Sequence, residues 1–175
     1  MEKKKNMIGE RIIGYICIEE GNHIDESKKI YVYTNAIDSI GYRLNTEKSI
    51  KIYEVEGISI SSQEMETEAG DRFYYECKEI KIIKEITHEQ LVNGCMYNCV
   101  LAVRLIAFYP ITEIDALKLA KTYTSNKQIL TLLSKKFPNN NEIRELIKEY
   151  DKKQDEIEKA EQKYEAYAKK YGIIN

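Results

Sequence analysis

The chain has 175 residues, 43% hydrophobic, 10% aromatic and 32% charged, with 8 Gly, 2 Pro and no Trp. That hydrophobic fraction excludes intrinsic disorder, and so few Gly and Pro exclude a fibrous or linker-rich chain. With 27 Lys and Arg against 29 Asp and Glu, the net charge of -2 supplies no global basic field to draw in nucleic acid.

The first half reads as strands. Arg11 to Glu19 is rich in β-branched residues and ends at the turn signal Glu20-Gly21-Asn22. Ile30-Tyr-Val-Tyr is a second, short strand, after which Thr34 or Asn35 caps a short helix carrying Ile37, Ile40 and Leu44 at helical spacing. Ser49 to Ile58 alternates, with Ile50, Ile52 and Glu54 on one side and Tyr53 and Val55 on the other. The polar segment Ser61 to Asp71 is expected to be a loop. Phe73 to Ile86 resumes the alternation with Phe73, Tyr75 and Cys77 on one face. The phase slips before Ile80 and Ile82, so a bulge or break is expected near Lys78 and Glu79.

The period then becomes helical. Thr87-His-Glu-Gln is a capping box, and Asn93-Gly94 marks the stop of that helix. A buried helix is expected from Cys95 to Tyr109, ended by Pro110. The cap signatures at Thr112 and Ser125 open helices over about 113–123 and 126–136. Pro138-Asn-Asn-Asn precedes a last helix from Glu142 to about Tyr171, in which Ile143, Tyr150, Ile157, Tyr164 and Tyr171 recur every seven residues. Lys153, Gln154, Ala160 and Glu161 weaken the companion positions in the middle, so the seam is narrower than a strong homodimeric coiled coil needs, and a helix lying across its own domain is as well supported as an oligomerising or partner-binding one.

The fold expected is α+β: an N-terminal antiparallel sheet with a short helix over residues 1–93, then a helical section over 94–175 that ends in the long amphipathic helix. Whether the two share one core stays open. Residues 1–93 carry 13 basic and 18 acidic side chains, and residues 94–175 carry 14 and 11. The start Met1-Glu-Lys-Lys-Lys lacks the apolar run of a signal peptide, and the longest apolar stretch, Cys99 to Tyr109, is far shorter than the roughly 20 residues that span a bilayer. A cytoplasmic protein without membrane contact is expected. Its Cys17, Cys77, Cys95 and Cys99 then read as buried thiols.

No Walker loop, G-x-G-x-x-G, G-x-S-x-G or H-E-x-x-H occurs. Cys95-x-x-x-Cys99 with His88 nearby suggests metal ligation, because residues four apart share a helical face, yet no second pair of suitable spacing completes a tetrahedral set. Neither a metal nor a cofactor is expected. Glu54-Val-Glu56 places two carboxylates on one strand face, where such a pair can stabilise a developing oxocarbenium ion or can simply face solvent on an edge strand. Tyr is abundant, at 14 residues. Most, including Tyr31, Tyr53 and Tyr97, fall where half-burial is expected, whereas Tyr164, Tyr167 and Tyr171 on the last helix are less easily hidden.

Four segments in order, Ile13-Gly-Tyr, Tyr31-Val-Tyr-Thr-Asn-Ala-Ile-Asp-Ser-Ile-Gly-Tyr, Lys51-Ile-Tyr-Glu-Val-Glu-Gly and Ile80-Lys-Ile-Ile-Lys-Glu-Ile, resemble a small uncharacterised domain of phage and prophage proteins across the first half of the chain. The resemblance implies a mobile-element origin. The Glu-x-Glu strand is also similar to that of ADP-ribosyltransferases, which implies Glu56 as the catalytic carboxylate with Glu54 assisting. The leading expectation is a non-catalytic protein-binding module that grips a protein or ribonucleoprotein with a basic surface, for example as a stoichiometric inhibitor of a bacterial nucleic-acid-targeting defence complex. Its contact residues would be Glu64, Glu66, Glu68 and Asp71 of the acidic segment with Tyr164, Tyr167 and Tyr171. The alternatives are an ADP-ribosyltransferase-like enzyme and a homo-oligomer built through the last helix.

Overall fold

The computed structural model describes residues 8–22, 24, 29–40, 49–65 and 72–171. Their elements run β1 (Arg11–Glu19), β2 (Ile30–Tyr33), α1 (Ala36–Ile40), β3 (Ile50–Met65), β4 (Arg72–Ile86), α2 (His88–Cys95), α3 (Cys99–Phe108), α4 (Glu113–Thr122), α5 (Lys127–Lys136) and α6 (Asn141–Lys170). The expected α+β class, with strands first and a long helix last, is what forms. Residues 1–111 make one compact unit and residues 112–175 a second.

In the first unit the four antiparallel strands close on themselves in the order β1-β2-β4-β3. Strand β3 is bonded along its first half to β1 and along most of its length to β4, and the first half of β4 is bonded to β2. The ring closes where Tyr15 of β1 meets Tyr33 of β2. Gly14 makes that seam possible: a Cβ there would stand 2.5 Å from Val32 Cγ1 and 2.6 Å from the Tyr33 carbonyl oxygen, closer than atoms can approach. Ile12, Ile16, Val32, Val55 and Cys77 fill the interior, with Ile18, Ile30, Tyr53, Tyr75 and Ile80 packed around them.

The expected bulge is present. Opposite Gly57, β4 carries one residue too many between Lys78 and Lys81, and Glu79 takes a left-handed φ of 55° to absorb it. A second shift, between Glu54 and Val55, displaces β4 at Ile83, and Ile82 and Ile83 are both about half exposed there. The loop expected from Ser61 is corrected. Strand β3 continues to Met65, with Ser61 opposite Glu76 and Glu64 opposite Phe73, because a ladder of backbone hydrogen bonds needs no apolar side chains to form.

Helix α1 packs on β1, β2 and β3, and α1, α2 and α3 pack on one another through Ile37, Ile40, Leu91, Val92, Ala102 and Leu105. The Thr87 capping box starts α2 as expected. The single helix expected from Cys95 is corrected: α2 runs through Cys95, and Asn98 caps a new helix by accepting from the Val100 and Leu101 N–H groups at 3.0 and 3.2 Å. In the second unit, capping boxes or caps at Thr112, Asn126 and Asn140 open α4, α5 and α6, which bury Ala116, Leu119, Ile129, Leu130, Leu133 and Ile143. No helix among the described residues is long and apolar enough to cross a membrane.

Candidate functional site

Tyr53 and Val55 turn into the barrel interior, so Glu54 and Glu56 between and after them face outwards. Each meets a cation on a neighbouring strand. Glu54 Oε2 lies 3.2 Å from Lys84 Nζ on β4, and Glu56 Oε1 lies 3.1 Å from Arg11 Nη1 on β1. Strand β3 is bonded on both sides along this stretch, so the pair does not sit on an edge. These are cross-strand ion pairs between exposed cations and half-buried carboxylates, with Glu54 19% and Glu56 35% exposed.

Of the acidic segment, Glu64 lies on β3, while Glu66, Glu68 and Asp71 lie outside the described residues. The cysteine and histidine candidates separate. Cys95 closes α2 and is buried, whereas Cys99 opens α3 and is exposed, so the turn at Met96–Asn98 breaks the shared helical face that their spacing suggests. His88 faces Tyr109, its Nδ1 3.4 Å from the phenol oxygen. Burial pushes the Cys77 thiol up to about 11, and burial with the nearby Asp38 charge pushes Cys95 up to about 12. Both are therefore poor nucleophiles near neutrality. Among the described residues no cluster of three His, Cys, Asp or Glu is placed to hold a metal ion.

The tyrosines of α6 are the expected site residues that come together. The helix has no Gly or Pro between residues 141 and 170, Glu142 in its first turn and Lys169 and Lys170 in its last, all of which favour its full length of about 45 Å. Its first turns pack: Ile143 is buried, and Leu146, Ile147 and Tyr150 are half-buried. Farther along, Ile157 is 49%, Tyr164 64% and Tyr171 58% exposed on the same seven-residue repeat and Tyr167 beside it is 55% exposed, whereas Ala168 among them is buried. The Tyr167 and Tyr171 rings lie 4.5 Å apart, and Lys170 Nζ sits 5.5 Å from the Tyr171 ring centroid. Tyr97, expected to be half-buried, is instead 89% exposed on the turn between α2 and α3.

Two features had no signal in the sequence. Arg104 of α3 is buried with its Nη1 2.6 Å from Asp38 Oδ1 of α1, and Asn35 Nδ2 donates to Asp38 Oδ2 at 3.2 Å. Beside them a pocket of about 310 Å³ opens, lined by Tyr15, Asn35, Lys84, Gln90, Gly94 and Cys95 among others. Aromatic side chains on neighbouring turns of a helix are of the kind that is enriched in protein interfaces. Comparison with known proteins adds no relative: no family model matches the chain, no curated protein matches it, and no solved structure matches its fold.

Proposed function

We propose that this chain is a non-catalytic protein-binding module that acts by stoichiometric contact, with the tyrosine face of α6 as its contact surface. One observation carries the reading: Ile157, Tyr164, Tyr167 and Tyr171 are each about half exposed or more, on one stripe of one helix. Scattered exposed hydrophobes are ordinary, but a contiguous aromatic stripe on a rigid element costs solubility without a compensating contact. A helix also holds its rings in place before binding, so little conformational freedom is lost on contact.

Other features support binding rather than bond-making. Glu54 and Glu56 are each engaged by a cation, and the two buried thiols are held protonated. Around the tyrosines, Lys159, Lys163, Lys169 and Lys170 are balanced by Glu158, Glu161 and Glu165, which suits a protein partner better than a polyanion. The resemblance of the N-terminal half to phage and prophage domains supports a mobile-element setting, in which inhibition of a host defence complex is one concrete role.

Affinity capture by the wild-type chain and by a Tyr164→Ala/Tyr167→Ala/Tyr171→Ala variant tests the reading. The wild type should retain a protein in stoichiometric amount that the variant loses. The same proteins recovered by both would overturn it.

A further inference from the structure

Where α1, α2 and α3 meet β1 and β4, the first unit holds the pocket of about 310 Å³. Apolar side chains of Ile37, Ile86, Leu91 and Leu101 line it. At roughly 30 Å³ per water, that volume holds about ten waters, so it suits a ligand of about ten non-hydrogen atoms, which is one or two rings. Charge on the wall is balanced. Lys84 is the only charged lining residue, and Glu54 Oε2 lies 3.2 Å from its Nζ. Burial and the Asp38 charge keep the Cys95 thiol protonated. An uncharged ligand therefore enters at the lowest desolvation cost.

Two lining carboxamides are each set in one orientation. Gln90 Oε1 accepts the Thr87 N–H at 3.0 Å, which completes the capping box of α2 and leaves the Gln90 NH2 as a donor with no partner among the described residues. Asn35 is held the opposite way. Its Nδ2 donates to Asp38 Oδ2 at 3.2 Å, and its Oδ1 is left as an acceptor with no partner among the described residues. One amide thus offers a donor and the other an acceptor, both fixed before any ligand arrives. Gly94 keeps the wall open: it lies within α2 without a left-handed φ, lines the pocket, and a Cβ there would meet no atom within 4 Å. Neither the backbone nor a close neighbour demands a glycine at this helical position, where Ala would be more favourable.

We infer that this pocket binds a small uncharged nitrogen heterocycle whose edge carries both an N–H and an acceptor, as nucleobases and cyclic amides do. The rings lie against the apolar wall, the Gln90 NH2 donates to the acceptor and Asn35 Oδ1 accepts the N–H. A carbocycle of the same size leaves both amides without partners, so the edge sets the specificity. The site does not rest on the α6 contact face, whose residues belong to the second unit.

The test is titration of the full chain with adenine, hypoxanthine, cytosine and thymine, followed by amide chemical-shift mapping, with benzoate and benzylamine as charged ring controls. At least one base should bind saturably in the micromolar to millimolar range and shift the Gln90 side-chain NH2 and the Gly94 N–H, and both charged rings should bind at least about tenfold more weakly. Gln90→Glu keeps an oxygen for the Thr87 N–H, and so keeps the cap, but removes the donor. Its circular dichroism should be unchanged and its affinity for the base about tenfold lower. Gly94→Leu sets a side chain on the wall and should abolish binding; if that variant does not fold, the wild-type shift map and Gln90→Glu decide the matter. No saturable binding by any base, shifts confined to residues outside the pocket, charged rings bound as tightly as the base, or affinity indifferent to Gln90→Glu or to a folded Gly94→Leu overturns the inference.

Discussion

Replacing Asp38 with Ala should be among the most damaging single changes in the first unit. The carboxylate is fully buried and its Oδ1 lies 2.6 Å from Arg104 Nη1, itself in a side chain only 2% exposed. At that separation, with an effective dielectric near 20, the attraction is about 6 kcal/mol before desolvation is counted. Desolvation offsets much of it, so the intact pair adds little net stability, but its rupture takes the opposing charge from a guanidinium that is only 2% exposed. The expected loss is therefore ~3–5 kcal/mol, a large part of the 5–15 kcal/mol that holds a typical domain. Urea unfolding followed by circular dichroism measures the loss, and amide exchange at Ala102 and Leu105 locates it. Asp38→Leu/Arg104→Met removes both charges at similar volume and should recover to within about 1 kcal/mol of the wild type or exceed it. If Asp38→Ala alone stays within about 1 kcal/mol of the wild type, the pair does not hold α1 to α3.

Two further outcomes follow within the first unit. Gly14→Ala drives a methyl group into the Tyr33 carbonyl and Val32, and because the carbonyl belongs to backbone the strands must part; a loss of at least about 3 kcal/mol is expected by thermal or urea unfolding, and a neutral change would show that β2 does not close the ring at that point. The buried thiols impose an alkaline limit. Cys77 and Cys95 are raised from 9.0 to about 11 and about 12, so their share of stability is whole below pH 9 and is lost as pH rises through those values. The slope is about 1.4 kcal/mol per pH unit for each thiol, since the unfolded chain ionises first. Urea midpoints at pH 8, 9 and 10 should fall more steeply for the wild type than for Cys77→Ala/Cys95→Ala, and parallel curves would refute the assignment.

Local signals carried farthest in the sequence. The phase slip between Cys77 and Ile80 marks the bulge at Glu79, because alternation records which side of a sheet each residue faces. Thr87, Thr112 and the Asn run before Glu142 mark helix starts because a cap needs only a side chain and an N–H three residues on. Long-range facts left little trace. The Asp38 and Arg104 partners are 66 residues apart, and Arg104 in an apolar run reads only as an interruption. Closure of the ring depends on Gly14 against Tyr33, a contact no periodicity encodes. The strand through Ser61 to Met65 was hidden because Ser61 to Glu64 are polar residues, although its pairing is made by backbone.

Of the candidate sites, Glu54 and Glu56 were visible as a pair, but their cations lie on other strands and became apparent only with the register. The heptad stripe on α6 was fully legible. What the sequence left open was which positions of the stripe are covered: Ile143 is buried, whereas Ile157 and Tyr164 are exposed. The pattern is one stripe throughout, since an amphipathic face is written the same way for a core as for an interface.

The contact face itself is open to direct measurement by hydroxyl-radical labelling of tyrosines in intact cells that produce the protein, compared with the dilute purified chain. Tyr97, 89% exposed and remote in sequence from α6, provides the internal reference. Tyr164, Tyr167 and Tyr171 should be protected in cells while Tyr97 labels as in dilute solution. Equal labelling of all four tyrosines in both settings would contradict it.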